Sequence, residues 1–245
     1  MAIINIETAT TVCSVAVSEK GQTLIDKVSF DGPSHASLLG SFVEDAVRES
    51  KSLGLKIDAV AVSSGPGSYT GLRIGVSMAK GLCFGYNIPL LSIPTLDILA
   101  CKAIKVVAAQ SDASTDSTIP RFHDSHTFCA MLDARRMEVY SSIYDGMFNK
   151  IRDTEAVIVA EDTYDFLSEK QVVCFFGNGA DKCKNIIKNK NALFIDDLHP
   201  LASDMTALSE QAYAERRFED VAYFEPFYLK DFIATVSKNK VLSEM

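Results

Sequence analysis

Residues 63–75 read SSGPGSYTGLRIG, a glycine-rich run directly after the apolar stretch KIDAVAV. A loop of this kind between a strand and a helix can hold phosphate, because successive backbone N–H groups point inward and the helix N-terminus adds about half a positive charge. The spelling fits neither common version. Gly65, Gly67 and Gly71 give GxGxxxG, one residue too long for the dinucleotide fingerprint, no GK[ST] follows, and Pro66 removes one donor. The loop alone is a weak candidate for a nucleotide site.

Other groups could do chemistry only in combination. Glu7 and Asp133 each close an apolar run, and two such carboxylates facing across a cleft could hold Mg²⁺. Yet Ala134 and Arg135 follow Asp133, where close approach of a phosphate favours glycine. His35 opens a helical segment, but the residue one turn on is Leu39 and not a second metal ligand. His123 and His126 form HxxH in a polar stretch and read as solvated; His199 precedes Pro200 in a turn-like segment. Ser64, Ser68 and Tyr69 lie near the glycine loop with no histidine to activate them. No catalytic residue and no metal site are expected.

The elements that position these groups follow from periodicity. Strands are expected at 2–6, 12–18 and 24–30, around 57–62 and within NIPLLSIP. A first helix carries His35, Leu38, Leu39, Phe42, Val43, Ala46 and Val47 on one face, capped by Asp31 or Ser34; others run from about 70 to 84 and from near Thr95. This order is an α/β unit with a mixed sheet. Residues 108–126, rich in Ser, Thr and Asp, read as a linker or exposed loop. Beyond it FCAMLDARRMEVYSSIYDG overlays IINIETATTVCSVAVSEKG, with Asp133 on Glu7, Val139 on Cys13 and Tyr144 on Ser18. That is either an internal repeat or two hairpins that happen to align. Expected divisions are an N-terminal lobe at 1–107, a linker at 108–127 and a C-terminal lobe at 128–245.

The second helix is apolar almost all round, with only Arg73 and Lys80 charged, so it must be buried on both sides. Gly71, Gly75 and Ala79 fall at intervals of four, a nearly side-chain-free ridge that would let another helix approach closely. The reading is that one side covers the sheet and this ridge meets a second helix, from a partner or from the same domain.

Composition bounds the function. The 245 residues are 47% hydrophobic and 23% charged, enough for one large domain or two, and a net charge of −8 excludes a stand-alone nucleic-acid binder. Six cysteines without a CxxC pair favour a reducing compartment. With no basic leader and no apolar run of membrane length, a cytoplasmic protein is expected.

INIETAT, GPGSYTGLRIG, LDARRMEVY and EPFYLK, in this order over roughly the whole chain, closely resemble the bacterial TsaB family, also called YeaZ. The resemblance implies a two-lobed, actin-like (ASKHA, ribonuclease H-like) fold with duplicated mixed-sheet subdomains. It implies an inactive subunit that pairs with the catalytic TsaD and the ATPase TsaE. Together these transfer threonylcarbamoyl to the adenosine beside the anticodon of tRNAs reading codons that start with A. The catalytic relative carries HxxxH in its first helix; here the stretch from His35 to Leu39 lacks the second ligand. The implied interface is His35, Leu38, Leu39, Phe42, Val43 and Ala46 with Gly71, Leu72, Gly75, Met78, Ala79 and Leu82. Gly65, Pro66 and Gly67 would shape the turn between.

The resemblance also implies a homodimer in isolation, tRNA contact only through the complex, and no cofactor of its own, with ATP or ADP at the surface shared with partners. Glu7, Thr8, Asp133 and Arg135 would be the residual nucleotide contacts. On this reading Gly75→Leu or Ala79→Arg leaves the monomer folded and abolishes pairing. The alternative is an actin-fold ATP-dependent kinase or hydrolase using Glu7 and Asp133, with GNGA at 177–180 as its adenine-side turn.

Overall fold

The computed structural model describes residues 1–32, 35–113, 126–167 and 172–230. β1 (Ala2–Glu7), β2 (Cys13–Glu19), β3 (Gln22–Ser29), α1 (His35–Ser52), β4 (Ile57–Gly65), α2 (Tyr69–Tyr86), β5 (Leu90–Pro94) and α3 (Thr95–Ala113) come first. The first sheet has the order β3-β2-β1-β4-β5, with β2 antiparallel to both neighbours and β4 and β5 parallel. The second half supplies β6 (His126–Asp133), β7 (Glu138–Asp145), β8 (Lys150–Ile158), β9 (Val172–Phe176), β10 (Ala192–Ile195) and α4 (Thr206–Ala214). Its sheet reads β8-β7-β6-β9-β10, with β7 antiparallel to its neighbours and β9 and β10 parallel.

The two sheets therefore share one strand order and one set of directions, so the restart of the pattern after residue 126 reflects a repeated topology. The register refines the overlay. Glu7 pairs with Ser14 and Asp133 with Val139, so Val139 corresponds to Ser14 and not to Cys13. The first copy has one more residue in its turn.

β1 and β4 are buried on both faces, as central strands with helices or turns on either side must be, and they read as continuous apolar runs. On one face Ile4, Ile6, Val60 and Val62 pack against Leu39, Val43 and Ala46 of α1 and Val76 and Ala79 of α2. On the other, Ile3, Ala61 and Leu91 meet Ile98 of α3, Ala212 of α4 and Met205 of the 3-10 turn just before α4.

Packing crosses the expected division at 107 and 128 in both directions. Leu96, Leu99 and Ala103 of α3 lie in a core with Phe128, Ala130 and Leu132, and the Tyr144 hydroxyl donates to Asp97 at 2.6 Å. The 3-10 turn Ala202–Met205 and α4 return to the first sheet, where the Ala202 N–H donates to Ser14 Oγ at 2.9 Å. The expected linker begins too early: α3 continues through Ala113 and His126 already opens β6. His123 and Ser34 lie outside the described residues.

After α4 the chain runs back along the first lobe as an irregular segment, residues 219–230, with a turn at 220–224 in which the Phe224 N–H donates to Asp220 O at 2.8 Å. The Glu219 N–H donates to Leu90 O at 2.9 Å, Lys80 Nζ to Ala222 O at 3.0 Å and the Phe227 N–H to Ser64 O at 2.7 Å. Lys230 then pairs with Glu138 of β7.

Candidate functional site

The glycine loop is pressed onto the turn after β1. The Ser68 N–H donates to Ala9 O at 2.6 Å, and Ser68 caps α2 by accepting from the Gly71 N–H at 3.2 Å. Thr8 Oγ1 in turn donates to Gly71 O at 2.8 Å. A Cβ at Gly67 would collide with Ala9 O, at Gly71 with Thr8 O, and at Gly75 with Thr8 Oγ1. The loop's glycines thus serve a backbone-to-backbone contact within the chain. Two of the donors a phosphate would need, those of Ser68 and Gly71, are already spent.

This contact corrects the expected interface. The ridge of Gly71, Gly75 and Ala79 faces inward, with Ala79 fully buried beside Leu72, Val76 and Cys83. On α1, His35, Leu39, Val43 and Ala46 are likewise buried in the chain's own core. Leu39, Val43, Ala46, Leu72, Gly75 and Ala79 are therefore taken up by the chain's own core, while His35 and Gly71, also buried, border the second cavity. The physical reason is that small residues collect where backbones come closest, and here that place is the Thr8 corner.

What α2 shows outward is its opposite side. Leu38, Phe42, Met78 and Leu82 of the expected set are only half buried. Ile74, Met78 and Leu82, with Ala36 of α1, Arg73, Ser77 and Gly81, line an open and mainly apolar groove of about 830 Å³. Phe84 at the end of the helix is 87% exposed and Tyr86 is 45% exposed. Sequence reasoning missed Ile74, Ser77 and Gly81, although a signal existed. Ser77, Gly81 and Gly85 form a second stripe at intervals of four, offset by two residues, or roughly 200°, from Gly75 and Ala79. Nothing lies within 4 Å of where a Cβ would stand on Gly81 or Gly85.

The second cavity, about 820 Å³, lies between the two sheets and is lined by Thr10, Gly67, Asp133, Arg135, Arg136 and Tyr228 among others. Asp133 and Arg135 of the expected nucleotide contacts reach it. Glu7 and Thr8 do not: both are fully buried, and Glu7 Oε1 accepts from the Ala9 N–H at 2.5 Å. Burial pushes the Glu7 carboxyl up to about 8, so it is neutral at physiological pH. A carboxyl sealed away from the cleft cannot hold a cation with Asp133, whose own carboxylate pairs with Lys182 and accepts from the Arg135 N–H at 3.0 Å. The residues present do not fit a Mg²⁺-nucleotide, and the carboxylate pair behind the kinase or hydrolase reading is not formed. The GNGA turn supports β6, the Asn178 side chain accepting from the Asp133 N–H at 3.0 Å.

The histidines are structural where described. His35 Nε2 lies 2.7 Å from Thr10 O, and Leu39 is in the core. His126 is buried in β6 and not solvated, and His199 O accepts from Lys102 at 2.9 Å. Among the described residues no group of three or more His, Cys, Asp or Glu side chains could hold a metal ion.

Comparison with known proteins adds the relatives. The family model described as TsaD, tRNA N6-adenosine threonylcarbamoyltransferase, matches residues 32–238. The chain is similar to the tRNA threonylcarbamoyladenosine biosynthesis protein TsaB of Escherichia coli K12, 31% identical over 242 residues that cover 96% of each. It is also similar to the protein of that description from Haemophilus influenzae, 25% identical over 251 residues and 94% of each. The solved structure of YeaZ from Pseudomonas aeruginosa superimposes with a TM-score of 0.69 at 25% identity, covering 93% of this chain and 99% of that one.

Two expectations follow from the inward ridge and from Glu7. Ala79→Arg puts an unpaired charge into the core, and Gly75→Leu drives a side chain into Thr8. Each should cost on the order of 3–5 kcal/mol in urea unfolding, reversing the expectation of a folded monomer. Glu7 in the folded chain keeps its proton up to about pH 8, whereas the unfolded carboxyl loses it near its ordinary value of 4.5. Its contribution is therefore fully present below that lower value and is lost as pH rises toward the upper one. Denaturation at stepped pH should show stability falling by on the order of 1.4 kcal/mol per unit across that window, with Glu7→Gln removing the slope.

Proposed function

The chain belongs to the TsaB (YeaZ) family of tRNA threonylcarbamoyladenosine biosynthesis proteins, and from that premise we propose that it is the non-catalytic scaffold subunit of the modifying complex. It pairs with the catalytic subunit TsaD through the outward face of α2. The observation that carries this reading is the open groove of Ile74, Met78 and Leu82 beside the exposed Phe84, apolar area that a soluble protein ordinarily keeps covered. The match of the TsaD model to residues 32–238 supports the choice of partner. A relative of the same architecture offers an equivalent helix pair, and like faces pack around a two-fold. In isolation a second copy of this chain occupies the same face and competes.

The thin inventory of reactive groups supports an accessory role: His35 is tied to Thr10 and the position one turn on is a core leucine. TsaE joins as the complex's ATPase. With a net charge of −8 this chain meets tRNA only through the assembly. Any ATP or ADP belongs to the surface shared with the other subunits. No described helix is long and apolar enough to cross a membrane, and we place the protein in the cytoplasm.

The test is association with TsaD by sedimentation or surface plasmon resonance. Ile74→Glu and Met78→Glu each set a charge at a half-buried outward position and should weaken binding by about a hundredfold, the loss of a central apolar contact, while the thermal midpoint stays put. Wild-type affinity in both variants would overturn the reading. Calorimetry of the isolated chain with Mg·ATP should show no micromolar binding; binding with turnover would favour the kinase or hydrolase class.

A further inference from the structure

The segment after α4, residues 219–230, does more than close the chain. Its Phe227 N–H donates to Ser64 O at 2.7 Å, and its Phe227 carbonyl sits against Gly65, where a Cβ would lie only 2.7 Å away and φ is +105°. The segment is thereby hydrogen-bonded, backbone to backbone, beside the loop that launches α2. One residue on, the Tyr228 ring lies on the Tyr69 ring with centroids 5.1 Å apart. Tyr69 is the first residue of α2, and one turn later the Arg73 guanidinium sits 4.7 Å from the centre of the same ring. Further along α2, Lys80 holds Ala222 O. The segment is thus attached at the start of the helix and again about two-thirds of the way along it, and through Lys230 and Glu138 it reaches the second sheet.

Resting on the reading of α2 as the docking face, we infer that residues 219–230 are a strap belonging to that face, and that Tyr228 is a positioning residue which holds Arg73 through Tyr69. Arg73 is exposed on the rim of the groove and has no acidic partner among the described residues. A guanidinium fixed over an aromatic ring loses less freedom on binding than a free one, so it meets a carboxylate at lower entropic cost. The face therefore suits an apolar helix carrying an Asp or Glu opposite Arg73. The Tyr228 hydroxyl is buried without a hydrogen-bond partner, so it is the ring that the strap uses.

The experiment is a double-mutant cycle in the full chain, read as affinity for TsaD with thermal midpoints in parallel. Tyr228→Ala should weaken association about tenfold, the scale of a lost cation–π arrangement, and Tyr228→Phe should stay within twofold. Because Tyr228 acts through Arg73, the Arg73→Ala/Tyr228→Ala pair should bind no more weakly than Arg73→Ala alone. Where Tyr228→Ala does not fold, Tyr228→Leu keeps the apolar volume without the ring and enters the same cycle. Additive losses, or wild-type affinity in the Tyr228 variant while Met78→Glu abolishes binding, overturn the strap and leave the docking face standing. Wild-type affinity in Met78→Glu overturns the docking face, and the strap with it.

Discussion

The contact between the first turns of α2 and the Thr8 corner governs the arrangement of the first lobe. Here backbone meets backbone: the Thr8 hydroxyl donates to Gly71 O, the Ser68 N–H donates to Ala9 O, and no side chain fits at Gly67, Gly71 or Gly75. Once α2 is seated this closely, its orientation about its own axis is fixed. Leu72, Val76, Ala79 and Cys83 must enter the core, and Ile74, Met78 and Leu82 are left half-buried at its edge, with one side packed on it and the other lining the groove. The apolar outward groove is thus a geometric consequence of the inward glycines.

The same contact explains why a loop spelled like a phosphate cradle has another use. A cradle needs free N–H groups, whereas here the Ser68 and Gly71 N–H groups are already taken up within the chain, and Pro66 has none, although the loop borders the second cavity. The carboxyl at the end of β1 is sealed beneath it and pushed up by burial, while its topological counterpart on β6, Asp133, stays exposed and pairs with Lys182. Two copies of one strand arrangement have therefore diverged at the position where a pair of carboxylates would face each other.

Much of the fold was legible in the sequence because its elements obey simple periods. The continuous apolar runs of β1 and β4, the helical spacing from His35 to Val47 and the restart at FCAMLD all correspond to elements of the structure. The candidate site was legible only in part. Periodicity indicates that α2 is apolar on two sides, but which side meets the sheet depends on Thr8, some sixty residues upstream and invisible to any local pattern. For the same reason Ser77 and Gly81 passed unnoticed beside the equally spaced stripe of Gly71, Gly75 and Ala79. Polar composition placed the linker at 108, while α3, whose apolar face packs on the second sheet as far as Val107, runs on to Ala113. EPFYLK carried a family likeness but no period, so its path across α2 could not be read from it.

The central claim is that the outward face of α2 is covered by another protein subunit. Oxidative footprinting of the methionines tests it directly, because Met78 lies in the groove while Met147, 73% exposed in the turn between β7 and β8, serves as an internal reference. With TsaD bound, the account expects Met78 to oxidise several-fold more slowly than in the free chain and Met147 to react at an unchanged rate. Equal oxidation of Met78 in the bound and free states would contradict it.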